Sequence, residues 1–198
     1  NRVIFENFPQ QPFWVPDRFE IPSLRNANHM GCTPVETKTS DFAMVASMLD
    51  RPTFKSRHNI CRWLREDADQ YSVGHCGEGD MCPVLATSKF GFHPRGDTLG
   101  SNRIMDTILS ETIPLFTEQE QYDILPDFIP FREMSYYIDS YSYESFTKTM
   151  QKLSAVSQQE YDEKMAVLRK YKDRCNFMTG EPFDAYMTSF ACKLGLQP

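Results

Sequence analysis

The hydrophobic pattern of this chain changes period several times, and the changes mark out its elements. From residue 1 to 40 apolar residues come in short pieces, Val3-Ile4-Phe5 and Phe19-Glu20-Ile21, between prolines, so the stretch reads as extended chain. Residues 40–50, SDFAMVASMLD, fit two periods. Phe42, Val45, Ala46 and Leu49 suit one side of a helix, while Ala43 to Ala46 equally suit a buried strand. Lys55 to Asp67 has helical spacing, with Arg57, Ile60, Cys61 and Leu64 on one side. The next stretch, YSVGHCGEGDMCP, carries three glycines and a proline and reads as a loop. Thr87 to His93 then predicts a strand, 101–110 a helix and Thr112 to Phe116 a second strand. DILPDFIPF is a proline-broken connection, and Ser135 to Asp139 a further short strand.

The C-terminal third is helical. Ser142 is placed to cap a helix through Leu153, and Ser157-Gln158-Gln159-Glu160 forms a capping box for the next one. Behind that box Tyr161, Met165, Leu168 and Cys175 make an apolar stripe, with Asp162, Glu163, Lys164, Arg169, Lys170 and Lys172 facing water. Alternating strands and helices imply an α/β layer with a mainly parallel sheet. No internal repeat or low-complexity tract interrupts it.

Composition narrows the classes. A chain of 198 residues with 40% hydrophobic and 24% charged residues is an ordinary globular domain with a real core. Twenty-one basic against 27 acidic residues give a net charge of −6, which disfavours nucleic-acid binding. No apolar run reaches the roughly 18 residues of a membrane span. The chain begins with Asn1 rather than Met, and it is read as a segment of a longer protein. Its six cysteines fit buried thiols or one disulfide, without a choice of pairing. His75, Cys76, Cys82 and His93 resemble a metal cluster only superficially, because the cysteine spacing lacks the tight hairpin of structural zinc sites; no metal is expected.

The chemistry concentrates in FGFHPRGDTLGSNRIMDTILSETIPLF, residues 90–116. In an open parallel sheet ligands bind outside the carboxyl ends of strands, where loops feed helix starts, and residues 94–100 sit at such a place. Gly96 and Gly100 would let backbone approach a ligand, and the first amides of a helix starting near Ser101 would favour an anion. Ser101 adds a hydroxyl, Arg103 a guanidinium fork for phosphate oxygens, and Asp106 an acceptor for vicinal hydroxyls such as those of a ribose. The plainer alternative makes Ser101 an N-cap and Arg103 with Asp106 a surface pair. Neither a Walker loop nor a G-x-G-x-x-G motif is present, which argues against a small-molecule kinase.

The run Ser88-Lys89-Phe90, Pro94-Arg95-Gly96-Asp97-Thr98, Ser101-Asn102-Arg103-Ile104-Met105-Asp106 and Ile113-Pro114-Leu115 resembles the C-terminal half of exostosin-type glycosyltransferases, glycosyltransferase family 47. A less specific likeness covers Arg51 to Leu64, Ile124-Leu125-Pro126 with Phe128, and Ser157 to Phe177. The resemblance implies a Rossmann-like sheet with flanking helices, the C-terminal domain of a GT-B fold, that binds a nucleotide-sugar. It would extend over residues 21–177, after an N-terminal extended segment 1–20 and before a tail 178–198. It implies transfer of a sugar, from a UDP-linked donor and with inversion, to a glycan acceptor. Arg95, Gly96, Asp97, Ser101, Arg103 and Asp106 would hold the donor without metal or other cofactor, and the catalytic base would lie in an N-terminal domain outside the chain. A non-catalytic nucleotide-sugar-binding or assembly subunit is the alternative, as is work in a homo- or hetero-dimer. The implied location is the lumenal side of the Golgi membrane, through an anchor outside this chain, although no Asn-x-Ser/Thr sequon supports it. Two departures stand out: Glu111-Thr112 replaces a small Gly-Cys pair, and Gly91-Phe92-His93-Pro94 replaces a cysteine-rich strand end, where His93 would either touch the sugar or base or, as the favoured alternative, be a packed or loop-satisfied histidine.

Overall fold

The computed structural model describes residues 4–6, 18–20, 33–97, 99–100, 103–176, 181–193 and 195. Its elements are β1 (Ile4–Glu6), β2 (Arg18–Glu20), β3 (Ser40–Val45), α1 (Lys55–Glu66), β4 (Val73–Gly77), α2 (Met81–Ala86) and β5 (Ser88–His93). They continue with α3 (Arg103–Leu109), β6 (Ile113–Phe116), β7 (Tyr136–Tyr137), α4 (Tyr143–Ser154), α5 (Gln158–Tyr171) and α6 (Glu181–Lys193). β1 and β2 pair in parallel as a separate ribbon. The other five strands form one all-parallel sheet in the order β4-β3-β5-β6-β7. The expected α/β sheet is therefore present. Its chain runs outward from β3 to β4, then crosses back over β3 to β5 and on to β7, which creates a switch point between β3 and β5.

Strand alternation decides what each face buries. Phe42, Phe90 and Phe92 stack together on one face, where Phe92 meets Phe146 of α4 and Trp63 of α1 packs on that same Phe146. Tyr161, at the start of α5, stands edge-on to Phe90. Gly91 points the other way. A side chain there would press on Leu85 of α2 and on Thr107 of α3, so glycine lets these helices close on the sheet. Both faces are covered, as parallel sheets require.

One open reading is decided and one expectation needs correction. The 40–50 segment takes the strand alternative, as β3 over Ser40–Val45, buried along nearly all of that length; periodicity cannot separate a doubly buried strand from a helix. The glycine-rich 71–83 stretch is not a loop, because it holds edge strand β4 and the start of α2. Gly74 permits β4 there, since any side chain would collide with Ser40. Further along, the 178–198 segment carries α6, whose Tyr186 is buried edge-on against Phe128. No described helix is long and apolar enough to cross a membrane.

The N-terminal ends of the strands are closed by a polar seam. The Ser40 and Ser88 hydroxyls lie 2.9 Å apart, and Ser88 donates onward to the Val84 carbonyl. Thr112 donates to the Leu85 and Ser88 carbonyls, and the Lys38 ammonium reaches those of Ala86 and Ser110. At the outer edge, a disulfide between Cys61 of α1 and Cys76 of β4 closes a separation of 15 residues. Cys82 is disulfide-bonded as well, so the chain has more than the one bridge expected, while Cys175 is a buried thiol.

The helix ends add detail. Ser142 caps α4 and Ser157 accepts the Glu160 amide, but Glu160 does not complete its box. Its carboxylate accepts instead from the Tyr136 hydroxyl at 3.0 Å, tying α5 to β7. Of the basic residues expected to face water, Arg169 is exposed, while Lys164 and, just past α5, Lys172 are partly buried. Lys164 lies over the Tyr136 ring, and Arg169 and Lys172 each reach the Glu111 carboxylate at 2.7 Å. Glu111 has φ of 52°, the left-handed conformation that glycine adopts without strain. Burial alone would raise its pKa, but the hydrogen bonds and charges of Lys172 and Arg169 together hold it below the ordinary carboxylate range.

Glu111→Gln therefore keeps the backbone strain and loses the ion pairs. It should destabilise the domain by about 1 kcal/mol at pH 7, the exposed Arg169 partner keeping the figure small. Glu111→Gly, which relieves the strain, should fall between the two. Because the folded-state pKa is depressed, the ionic contribution is complete above the unfolded value of 4.5 and disappears as pH falls through the folded one. Urea unfolding of the three proteins at pH 7 and pH 3 checks this, and an equal gap between wild type and Glu111→Gln at both pH values would refute it.

Candidate functional site at the carboxyl ends of the strands

The opposite edge of the sheet is less well closed. Arg95 Nε, His93 Nε2, Asp106 Oδ2 and Thr117 Oγ1 are buried without a hydrogen-bond partner among the described residues, and all four follow or end β5 and β6. A buried polar atom left unpaired costs about 1–3 kcal/mol, so such a concentration marks a place where a ligand or water completes the bonding.

Arg103 opens α3 and reaches across the switch point, donating from Nη1 to the Val45 carbonyl at the end of β3 at 2.6 Å. Burial lowers its pKa, against the opposing pull of Asp106. Beside it stands Arg57, which donates from Nε to the Arg95 carbonyl at 3.1 Å and from Nη1 to the Ser47 carbonyl at 3.0 Å. The Arg57 guanidinium also lies 3.9 Å over the Phe54 ring. Burial and the charge of Arg103 draw its pKa down to about 10. Two repelling cations, each anchored to a main-chain carbonyl, thus lie close together at the switch point.

The other expected residues fall around this pair. Gly96 is buried, but its small size serves Arg57: a Cβ there would come within 2.5 Å of Arg57 Nη2. Asp97 is exposed and bonds to Arg51 Nη1 at 2.9 Å and Thr53 Oγ1 at 3.3 Å, so it orders its loop against the start of α1. Arg95 turns away towards Glu118, at 3.7 Å. Asp106 is 2% exposed, and burial raises its pKa to about 7 in spite of Arg103. The surface-pair alternative for Arg103 and Asp106 does not hold, because Asp106 is inside the protein. Ser101 lies outside the described residues, as do Thr98 and Asn102. The described α3 begins at Arg103 and has seven residues, so the positive charge of this site comes from guanidinium groups more than from a helix dipole.

His93 is buried against the Phe116 ring, and burial together with Arg103 lowers its pKa to about 3. It is a neutral imidazole and a weak base. Cys76 and Cys82 are both in disulfides, which removes their thiolates from any zinc site with His75 and His93. Among the described residues no three His, Cys, Asp or Glu side chains are grouped to hold a metal ion.

Sequence reasoning missed two residues. Arg57 had a visible signal, a charged residue on the apolar side of its helix. Gln121 had none. It is fully buried, and its amide accepts from the Thr117 and Glu118 N–H groups while donating to the His93 and Leu99 carbonyls. One side chain thereby fastens the loop after β5 to the loop after β6.

The family model of the exostosin GT47 domain matches residues 6–153, three-quarters of the chain and the whole five-stranded sheet. No curated protein matches the chain.

If Gly96 exists to admit Arg57, Gly96→Ala should cost about 1–2 kcal/mol by breaking its hydrogen bonds. The same substitution made on an Arg57→Ala background should cost almost nothing. Chemical denaturation of the double-mutant cycle measures the coupling. Equal penalties in both backgrounds would show that the glycine serves another purpose.

Proposed function

The chain belongs to the exostosin GT47 family of glycosyltransferases, and from that premise we propose that its switch-point crevice holds a UDP-linked sugar whose glycosyl group passes to a glycan acceptor with inversion. The observation that supports this reading is the paired Arg57 and Arg103 at the carboxyl ends of β3 and β5. A diphosphate between the two guanidiniums relieves their mutual repulsion and gains charge-assisted bonds. As the sugar leaves, negative charge grows on that diphosphate, and fixed cations in a partly dry crevice stabilise it without reorganising. In this reading Arg103 and Ser101 hold the diphosphate. Asp106, whose Oδ2 lacks a partner among the described residues, accepts from the ribose hydroxyls. Gly96 and Asp97 keep the loop and Arg57 in register. A metal is unnecessary for holding the leaving group. The general base for the acceptor hydroxyl is proposed to come from outside this set, since His93 is too weakly basic.

We place the domain in the lumen of the secretory pathway, in the Golgi. The family supports this, as do the disulfides at Cys61–Cys76 and Cys82, which persist in oxidising compartments.

Arg103→Ala should weaken UDP binding by about 2 kcal/mol, roughly 30-fold, because the diphosphate loses a buried guanidinium partner. Binding to the unaltered chain should persist in EDTA. Calorimetry settles both points: unchanged affinity in the variant removes Arg103 from the site, and loss of binding on chelation with recovery in Mn²⁺ replaces this arrangement with a metal-bridged one.

A further inference from the structure

A cleft of about 500 Å³ opens on the same edge of the sheet, over the ends of β6 and β7 and beside the first turn of α1. It lies beside the loop that follows β5, because Glu118 in its wall lies 3.7 Å from Arg95 Nη1. Its walls carry three carboxylates, Glu118, Glu120 and Asp139, against one cation, Lys55. Two tyrosines complete it. Tyr137 lines the floor, and Tyr141 stands 95% exposed at the mouth. The Tyr141 backbone is fixed, its N–H bonded to Asp139 Oδ1 at 3.0 Å, so an apolar ring is held out in water from a rigid base. Thr117 also lines the cleft, 4% exposed, with Oγ1 unpaired.

We propose that this cleft seats the acceptor glycan and selects uncharged sugar residues over uronates and sulfated sugars; the proposal rests on the UDP-sugar reading of the neighbouring crevice. A neutral pyranose offers two kinds of surface: hydroxyls that donate hydrogen bonds, and a C–H face that packs on aromatic rings. The cleft has the complement of both, since ionised carboxylates only accept and the tyrosine rings are available for stacking. Burial raises the pKa of the Tyr137 hydroxyl, and the charges of Asp139, Glu120 and Glu118 raise it further, so all three carboxylates lie near one hydroxyl of the cleft wall. A uronate or sulfate entering that region brings acceptors where acceptors already stand, and its charge is repelled. The carboxylates are not grouped for chelation, which favours a hydroxyl-bearing ligand over a divalent cation. Position fits as well, for an acceptor here approaches the donor from the side of β6 while the nucleotide lies between β3 and β5.

The test uses the full chain, saturated with UDP, titrated with xylotetraose, cellotetraose, tetragalacturonate and a heparin tetrasaccharide. At least one neutral tetrasaccharide should bind, and more tightly than either anionic one. Tyr141→Ala, which touches no core, should weaken that binding at least fivefold and leave UDP affinity within twofold of wild type. Glu120→Lys should raise affinity for tetragalacturonate several-fold. Preference for an anionic glycan, indifference to Tyr141→Ala, or UDP binding with no glycan binding would each overturn the acceptor cleft while leaving the nucleotide reading intact. Failure of UDP itself to bind would overturn both.

Discussion

A parallel sheet buried on both faces leaves its polar chemistry nowhere to go but the strand ends. That constraint organises the whole domain. At the N-terminal ends the hydroxyls of Ser40, Ser88 and Thr112 and the ammonium of Lys38 bond to one another and to nearby carbonyls, so the edge is sealed. At the C-terminal ends the order of strands reverses between β3 and β5, and the two neighbours send their chains in different directions. Arg57 and Arg103 span this edge through main-chain carbonyls, and unpaired buried atoms of His93, Arg95 and Asp106 lie on the elements beside them.

Rigidity at this edge comes from small devices. Gln121 spends both donors and one acceptor oxygen on four main-chain groups of two loops. Arg57 is fixed by two carbonyls and a ring, with Gly96 giving it room. Guanidiniums held in this way lose little entropy when an anion arrives, so most of their electrostatic attraction remains available for binding. The same fixing places Glu118 between the arginine-rich crevice and the acidic cleft, where the sign of the surface changes within a few ångströms.

The strand–loop–helix–strand unit from Ser88 to Phe116 was legible because it combines a short apolar run, a Pro-Arg-Gly-Asp break and a resumed helical period. Helices α1, α4 and α5 were legible from period and caps. β3 was not, since a strand buried on both faces has no alternation to read. β4 was hidden by Gly74 and Gly77, residues that signal turns unless a neighbour such as Ser40 explains them. Glu111 stood out as a replacement for a small residue at the end of a helix, but its partners lie 58 and 61 residues away and could only be seen in three dimensions. The same holds for the site. Arg103 and Asp106 came from local pattern, whereas Arg57 reaches the crevice through a fold contact 38 residues distant. Gln121 looks in sequence like one more polar residue of an exposed turn.

The Cys61–Cys76 bridge joins α1 to β4, an edge strand in which only Gly77 is buried. Closing a loop of that size by chain entropy is worth about 3 kcal/mol. Until the thiols are oxidised, β4 has β3 as its single strand partner and only non-covalent packing on α1, and a strand that peels away uncovers the hydrogen-bonding rim of β3. Such a rim is a template for strands of other molecules. Production of this domain in a reducing cytosol would therefore select for clumping over correct folding, and the yield of dispersed protein depends on oxidation arriving before neighbouring chains do.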